Sequence, residues 1–253
     1  MRLSKETKDR IPSVMIVVIL IVIWQIAAMA VNIPHILPSP TDIILKIWDL
    51  RASLFLHHFP VTLATIGIGW AIAIVIGVLL ASAMHFSEAV RAMIYPVLIV
   101  TQTIPVMCIS PLFVLWFGYT LQAKLMAVVL STFFAIALNT LNGLDSADKK
   151  KAEWMKTCGA SRAQIFMQLE VPTALPKFVT ALKMTLPWAV IDSAVAEWLG
   201  ATEGLGYFSK RMISKMDGAA VFAPVVILCV TALAGMMILK KIDKKYITWR
   251  SEV

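Results

Sequence analysis

Long apolar runs separated by short polar segments account for most of the chain. They lie at residues 13–31, 61–84, 92–117, 121–142, 177–200 and 219–239. Each run is near the roughly 20 residues that a helix needs to cross about 30 Å of hydrocarbon. The pattern therefore predicts an all-α integral membrane protein with about six transmembrane helices.

The third of these runs, residues 92–117, is the least regular. Three prolines interrupt it and free backbone carbonyl groups that have no water partner inside a bilayer. We expect neighbouring helices or water to satisfy these groups, which favours a buried helix over a lipid-facing one. Gln102 and Thr103 in this run either hydrogen-bond a passing solute or only satisfy freed carbonyl groups.

The composition leaves no room for a separate soluble domain. Hydrophobic residues make up 59% of the 253 residues, charged residues make up 15%, and the mean hydropathy is +0.82. Most of the lysines and arginines behind the net charge of +8 flank apolar runs, so the charge implies no nucleic-acid partner. The positive-inside rule and an even number of spans both predict cytoplasmic termini. We divide the chain into a cytoplasmic N-terminus (1–12), a single transmembrane domain (13–239) and a basic cytoplasmic C-terminus (240–253).

A short helix is predicted between the first two spans. Ser39 is suited to cap its first turn, Pro40 to occupy its first position, and Asp42 to face its positive end. Apolar residues then recur at helical spacing, which is typical of a helix lying on the membrane interface. We interpret Trp48 as an interfacial anchor of this helix, with a ligand-binding role as the alternative.

The longest polar connection, residues 143–176, predicts a rigid hairpin. Residues 148–158 have a helix-forming composition, and Gly159 can adopt the left-handed backbone that ends a helix. Ser161 can cap a second short helix, which we expect Pro172 to stop. The exposed faces are predicted to mix cations with apolar side chains, a combination suited to docking on another protein. The apolar members are Trp154, Met155, Ile165 and Phe166.

The hairpin segment resembles a known motif. A glutamate lies six residues before a glycine, and an aliphatic-x-aliphatic-Pro sequence starts ten residues after that glycine. This is similar to the EAA loop of ABC-transporter permeases of the binding-protein-dependent importer class, with Trp154 and Met155 in place of the pattern's two alanines. The resemblance assigns a role in coupling to an ATPase to Glu153, Trp154, Met155, Gly159, Ala160, Ser161, Leu169, Val171 and Pro172.

The resemblance extends beyond the loop to Gln102-Thr103-Ile104-Pro105 and Glu197-Trp198-Leu199-Gly200. These sequences are similar to the permease branch that includes nitrate, sulfonate, taurine, riboflavin and pyrimidine-precursor importers. The resemblance implies a type I ABC importer permease with an EAA-type coupling hairpin on its cytoplasmic side. It implies that two such subunits, a homodimer, form the pathway across a bacterial-type inner (plasma) membrane. Each hairpin would dock on one subunit of an ATPase dimer, and an extracytoplasmic binding protein would deliver the solute.

The chain is not expected to be an enzyme. It has no G-x-x-x-x-G-K-[ST] phosphate-binding loop, so ATP and Mg²⁺ are expected on the partner ATPase and no cofactor on this chain. Its histidines form no HExxH pattern, and no serine stands in a GxSxG sequence. The three cysteines are far apart, and no metal site is predicted.

Charged residues inside a span are costly and mark candidates for a translocation pathway. In the fifth run these residues are Lys183, Asp192 and Glu197. Asp192 and Glu197 are about 140° apart around a helix, so one narrow lumen cannot accommodate both and one must serve the structure. We favour Asp192, with Ser193 and Trp188 nearby, as lining the path. Glu197 is left open between a pathway role and a structural one.

An acidic side chain in the path disfavours an anionic solute and tolerates a neutral or cationic heterocycle. The predicted solute is therefore a small polar organic molecule, either a pyrimidine or thiamine precursor or a riboflavin-like heterocycle. A sulfonate-type or nitrate-type anion is the alternative solute. An ion-coupled secondary transporter or channel is the alternative mechanism, although it would not require a rigid docking hairpin.

Overall fold

The computed structural model describes residues 5–247, and all regular secondary structure in this part of the chain is helical. The helices, numbered in chain order, are α1 (Lys5–Val31), α2 (Pro40–Asp49), α3 (Phe59–Phe86), α4 (Glu88–Thr103), α5 (Val106–Phe117), α6 (Leu121–Leu144), α7 (Lys149–Thr157), α8 (Arg162–Ile165), α9 (Val171–Gly200), α10 (Leu205–Ile213) and α11 (Gly218–Tyr246). Two π-helical segments, Ser53–His58 and Phe166–Glu170, lead directly into α3 and α9.

Four helical segments of the described residues are long and apolar enough to cross a membrane. They are Ser53–Phe86, Leu121–Leu144, Arg162–Gly200 and Gly218–Lys245, with lengths of 34, 24, 39 and 28 residues. The bent pair of α4 and α5 is a fifth candidate, and the apolar part of α1, Met15–Val31, is a shorter helix. These segments correspond to the six apolar runs, and the prediction of an all-α integral membrane protein is confirmed.

The third apolar run forms two helices and not one. α4 and α5 meet at an angle of 99°, with Pro105 preceding the first turn of α5. Most side chains of both helices are exposed in this single chain, so its own helices do not provide the predicted burial. Carbonyl groups near the break are instead satisfied locally. The hydroxyl group of Thr103 donates to Val100 O (2.8 Å), and that of Ser110 donates to Val106 O (2.8 Å).

α6 is the central helix of the bundle and packs between α3 and α9. Small residues allow the close approach of α3 and α6. A Cβ atom added at Gly69 would lie 2.9 Å from Val128, and one added at Gly77 would lie 2.8 Å from Ile136. α3, α6 and α9 all have one end next to α7 and α8, and we call that end of the bundle the hairpin side. The opposite end is called the far side.

Both π-helical segments precede a proline. The residue before Pro60, Phe59, donates its backbone N–H to Leu54 O, five residues back. The residue before Pro172, Val171, bonds in the same way to Phe166 O. A proline ring conflicts with the carbonyl group four residues earlier in an α-helix, and a wider turn relieves that conflict. The expectation that Pro172 stops the helix is therefore wrong, because the helix continues to residue 200.

The predicted interfacial helix α2 is present with the expected start. Ser39 and Asp42 form a reciprocal capping box, in which each side chain accepts the other residue's backbone N–H (3.2 Å each). Lys46 of α2 forms an ion pair of 2.9 Å with Asp217, which caps α11 by accepting the N–H of Ala220. Burial opposes ionisation of Asp217, but the Lys46 and Ala220 hydrogen bonds and nearby positive charge hold its pKa below the ordinary value. This pair joins α2 to the start of α11.

Candidate functional site

The first arm of the predicted hairpin is α7, and both of its ends are fixed by local hydrogen bonds. Asp148 caps its start by accepting the N–H of Lys150 (2.9 Å). At its end, Gly159 has φ +87° and donates its N–H to Lys156 O, while the next residue, Ala160, donates to Met155 O (2.9 Å each). This pair of bonds is the Schellman motif, which requires a left-handed residue at the position of the glycine. The sharp turn predicted at Gly159 is present.

The second arm begins with a capping box between Ser161 and Gln164. Gln164 donates its N–H to the Ser161 hydroxyl group (3.3 Å), and its side chain accepts the N–H of Ser161 (2.7 Å). α8 then continues through the π-helical segment Phe166–Glu170 into α9. The hairpin is therefore continuous with a transmembrane helix, so it is not a loop on a flexible tether.

The residues of the predicted coupling motif differ in exposure. Glu153, Trp154, Gly159 and Ser161 are exposed, whereas Met155, Ala160, Leu169, Val171 and Pro172 are half-buried. Trp154 is the most prominent apolar group, with 68% of its surface exposed on α7. Ile165 was expected on the exposed face, but it is fully buried.

A cluster of five charged or titratable side chains lies at the base of the hairpin, and we call it the basal cluster. His85 contacts two carboxylates, Glu170 through Nε2 (2.8 Å) and Asp145 through Nδ1 (3.0 Å). Arg162 pairs with Glu170 (3.0 Å), and Arg91 pairs with Asp145 (2.8 Å). The cluster lines a cavity of about 420 Å³ between α7 and the bundle.

The sequence analysis did not find the basal cluster, because its members come from five separate helical segments. His85 lies in the last turn of α3, Arg91 lies in the first turn of α4, and Asp145 caps the end of α6, while the other two come from α8 and the π-helical segment. The available signal was Glu170, a carboxylate within the otherwise apolar Leu-Glu-Val-Pro sequence of the motif. A charged residue among the apolar residues of a helix indicates a partner on another helix.

Glu197 is completely buried at the far side of α9. Its Oε2 atom accepts hydrogen bonds from the Thr62 hydroxyl group (3.0 Å) and from the N–H of Gly206 (2.9 Å). Thr62 also accepts the N–H of Leu205 (2.8 Å). Lys124, only 7% exposed in the first turn of α6, is close enough for its charge to act on this carboxyl group. These contacts hold the turn before α10 against α3 and α9. Of the two roles left open for Glu197, pathway and structural, they correspond to the structural one.

The structure separates the other pathway candidates on α9. Asp192 is half-buried and interacts with Ser131 of α6, while Trp188, one turn earlier, is exposed on the same side of the helix. Ser193 is buried and donates its hydroxyl hydrogen to Val190 O of its own helix (2.8 Å). Lys183 forms an ion pair with Asp243 of α11.

Gln102 and Thr103 lie exposed at the end of α4. The Thr103 hydroxyl group donates to Val100 O, so its hydrogen serves the break between α4 and α5. The two residues flank that break together with Ile104 and Pro105.

Comparisons with known proteins agree with this architecture. A family model described as "Binding-protein-dependent transport system inner membrane component" matches residues 73–248. The chain is 44% identical over 248 residues to the formylaminopyrimidine transport permease protein ThiX of Halalkalibacterium halodurans, covering 98% of this chain and 99% of that protein. It is 34% identical over 215 residues to a probable ABC transporter permease protein of Haemophilus influenzae, covering 85% and 87%.

A solved structure shows the same fold. The chain matches a crystal structure of a bacterial ABC transporter involved in the import of the acidic polysaccharide alginate, with a TM-score of 0.66 at 14% identity. The match covers 96% of this chain and 99% of that one. The family and the relatives are ABC importer permeases, and the alternative of an ion-coupled secondary transporter is therefore replaced by that of an ABC importer permease. The chain therefore belongs to the family of binding-protein-dependent transport system inner membrane components and is a multi-pass inner-membrane permease of an ABC importer.

Proposed function

We propose that the hairpin of α7 and α8 is the part of this permease that docks on a separate ATPase. The observation that carries this assignment is the hairpin's construction. Its turn is fixed by the Schellman motif at Gly159, its second arm continues into α9, and it projects the exposed Trp154. An exposed tryptophan on a rigid helix has the features of an interface anchor. The sequence has no phosphate-binding loop, so ATP and Mg²⁺ would act on the partner.

The complete importer that we propose contains two copies of this chain, an ATPase dimer and an extracytoplasmic binding protein that delivers the solute. The hairpin side would face the cytoplasm, where both termini would also lie. The basic residues Lys149, Lys150 and Lys151 at the start of α7 support this orientation, because cytoplasmic segments are enriched in lysine and arginine. This chain would supply the path through the bilayer and would not catalyse a reaction.

Replacing Trp154 with alanine should lower the amount of ATPase that co-purifies with the tagged permease at least about tenfold, because a buried interface anchor is lost. The measurement is purification in mild detergent, with the ABC ATPase identified by the peptides of its phosphate-binding loop. Trp116→Ala is the matched control, since this tryptophan is similarly exposed (63%) but lies near the far end of α5. Equal recovery of ATPase with both variants would contradict the docking assignment.

The proposed solute is a small aminopyrimidine, the class named for the 44% identical relative. Trp188 and Asp192 lie one turn apart on the same side of α9, and this side is partly exposed in the single chain. An aromatic ring offers a surface for stacking a flat heterocycle, and a carboxylate offers an acceptor for its amino group. A sulfonate or nitrate anion would be repelled by the same carboxylate.

Replacing Asp192 with asparagine should lower ATP-driven uptake of labelled formylaminopyrimidine about tenfold or more, because a charge-assisted hydrogen bond becomes a neutral one. Uptake is measured in proteoliposomes that hold the complete importer, with the recovery of ATPase checked in parallel. Asp49→Asn, an exposed carboxylate at the end of α2, is the control and should leave uptake unchanged. If the wild-type importer accumulates labelled taurine but not the pyrimidine, the proposed solute class is wrong.

A further inference from the structure

We propose that Glu170 is a positioning residue for energy coupling. Through its ion pair with Arg162 it braces the π-helical segment between the hairpin and α9, so that displacement of the hairpin becomes displacement of the span. The proposal rests on the proposed function, because it assumes that an ATPase moves the hairpin. It concerns a different step, the transmission of that movement into the membrane domain.

The π-helical segment is the mechanically weak point of the 39-residue helix Arg162–Gly200. A π turn interrupts the regular α-helical hydrogen-bond pattern, and this one is followed by Pro172, which has no N–H to donate. A helix bends most readily at such positions. Without a brace, a force applied to α7 and α8 would be absorbed by bending between Phe166 and Glu170.

Arg162 and Glu170 enclose the π turn along the chain. Arg162 is the first residue of α8, before the π turn, and Glu170 is the last residue of the π turn. The 3.0 Å contact between Arg162 Nη1 and Glu170 Oε1 therefore spans the whole weak point. A second contact supports it on the same side, since the rings of Phe86 and Phe166 lie 4.8 Å apart.

Glu170 also connects the braced segment to the rest of the bundle. It is only 5% exposed, and its second oxygen contacts His85 Nε2 at 2.8 Å. The other nitrogen of His85 contacts Asp145 at the end of α6, which in turn pairs with Arg91 of α4. The histidine ring donates to both carboxylates at once only when both of its nitrogens carry hydrogen. The basal cluster thus links the hairpin to α3, α4 and α6 through one buried carboxylate.

The test compares Glu170→Gln with the wild type in the complex of the permease and its ATPase. The expected result is that ATPase recovery stays within twofold, because no residue of the exposed hairpin face has changed. Uptake of labelled formylaminopyrimidine per ATP hydrolysed should fall at least tenfold. Backbone amide hydrogen exchange in the segment 166–170 should become at least tenfold faster, and this second readout does not depend on the solute.

Two further variants separate bracing from a general effect on folding. Gln168→Ala changes an exposed side chain of the same π turn and should match the wild type in all three readouts. Arg162→Gln should reproduce the defect of Glu170→Gln, and the double variant should be no worse than either single variant, because one ion pair is involved. Should Glu170→Gln not fold, amide exchange in Arg162→Gln carries the test, because Arg162 is exposed on the docking hairpin and this readout does not depend on docking.

The outcomes distinguish the proposal from the proposed function. Normal uptake per ATP and normal amide exchange in both ion-pair variants would overturn the bracing role while leaving docking intact. Loss of ATPase recovery in parallel with uptake would also overturn it, because the cluster would then only maintain the docking surface. A wild-type permease that retains no ATPase would instead contradict the proposed function itself.

Discussion

Replacing Gly204 with alanine is expected to lower the melting temperature of the purified permease by roughly 6–12 °C. Gly204 has φ +117° and ψ 164°, a backbone region that is essentially restricted to glycine. A Cβ atom there would lie 2.3 Å from Cδ of Glu197 and within 2.5 Å of both carboxylate oxygens. Backbone strain and the clash together should cost on the order of 3 kcal/mol.

Glu197 cannot move aside to make room for this methyl group. It is completely buried, and any displacement of its carboxylate would break the hydrogen bonds from Thr62 and Gly206. A buried carboxylate that loses its donors is strongly destabilising. The alanine variant should therefore detach the turn before α10 from α3 and α9, and uptake should be lost along with stability.

Gly67→Ala is the matched control for this variant. Gly67 lies inside α3, and a Cβ atom added there would have no other atom within 4 Å. Alanine favours a helix over glycine, so the melting temperature should stay within about 3 °C of the wild type or rise slightly. The measurement is thermal unfolding of both variants in detergent, followed by tryptophan fluorescence. A Gly204→Ala variant as stable as the control would show that the pocket around Glu197 is open and adaptable.

The parts of the fold that the sequence predicts depend on short-range signals. Ser39 stands directly before Pro40, and its capping of α2 follows from that position, although the reciprocal bond to the Asp42 side chain was not predicted. Gly159 marks the turn of the hairpin for the same reason, because only the local backbone conformation is involved. The apolar runs predict spans because burial in lipid requires about 20 apolar residues wherever the helix packs.

The parts that the sequence does not predict depend on partners far apart in the chain. The contact between Thr62 and Glu197 joins residues 135 positions apart, and the contact between His85 and Glu170 joins residues 85 positions apart. No periodicity connects such pairs, so Glu197 was left open between two roles and the basal cluster was missed. A charged residue within an apolar span can be recognised singly in the sequence, but the residue with which it pairs cannot.

The two places where prolines interrupt helices have a common explanation. Proline was expected to stop the second hairpin helix at Pro172, and along residues 92–117 to leave carbonyl groups for neighbouring helices, water or local hydroxyl groups. In both places the backbone adjusts locally, through a wider turn before Pro172 and through hydroxyl groups such as that of Thr103 around the break at Pro105. Within a membrane, a freed carbonyl group that accepts a hydrogen bond from a nearby hydroxyl group needs no donor from a neighbouring helix. The position of a proline therefore predicts where a helix changes its hydrogen bonding, and not whether it ends.

Replacing Gly159 with proline is expected to reduce ATPase co-purification at least about thirtyfold, because the turn of the hairpin would be lost. Proline fixes φ near −65°, whereas Gly159 has φ +87°. The substitution also removes the N–H that Gly159 donates to Lys156 O (2.9 Å), which is half of the Schellman motif. α7 and α8 would then leave the turn at a different angle, which would change the orientation of Trp154 relative to α8.

Gly118→Pro is a matched control, since Gly118 resembles Gly159 in the local features that a proline would disturb. It has φ +69°, donates its N–H to Val114 O (2.7 Å), ends a helix, and has no atom within 4 Å of an added Cβ. It lies at the far side, between α5 and α6, so the same backbone strain is placed away from the hairpin. ATPase recovery with Gly118→Pro should stay within twofold of the wild type. If both variants retain the ATPase equally, the hairpin is not the docking element; if both lose it equally, the loss reflects general unfolding and not the angle of the hairpin. If only Gly159→Pro loses it, the angle set by one left-handed residue determines whether this permease can bind its ATPase.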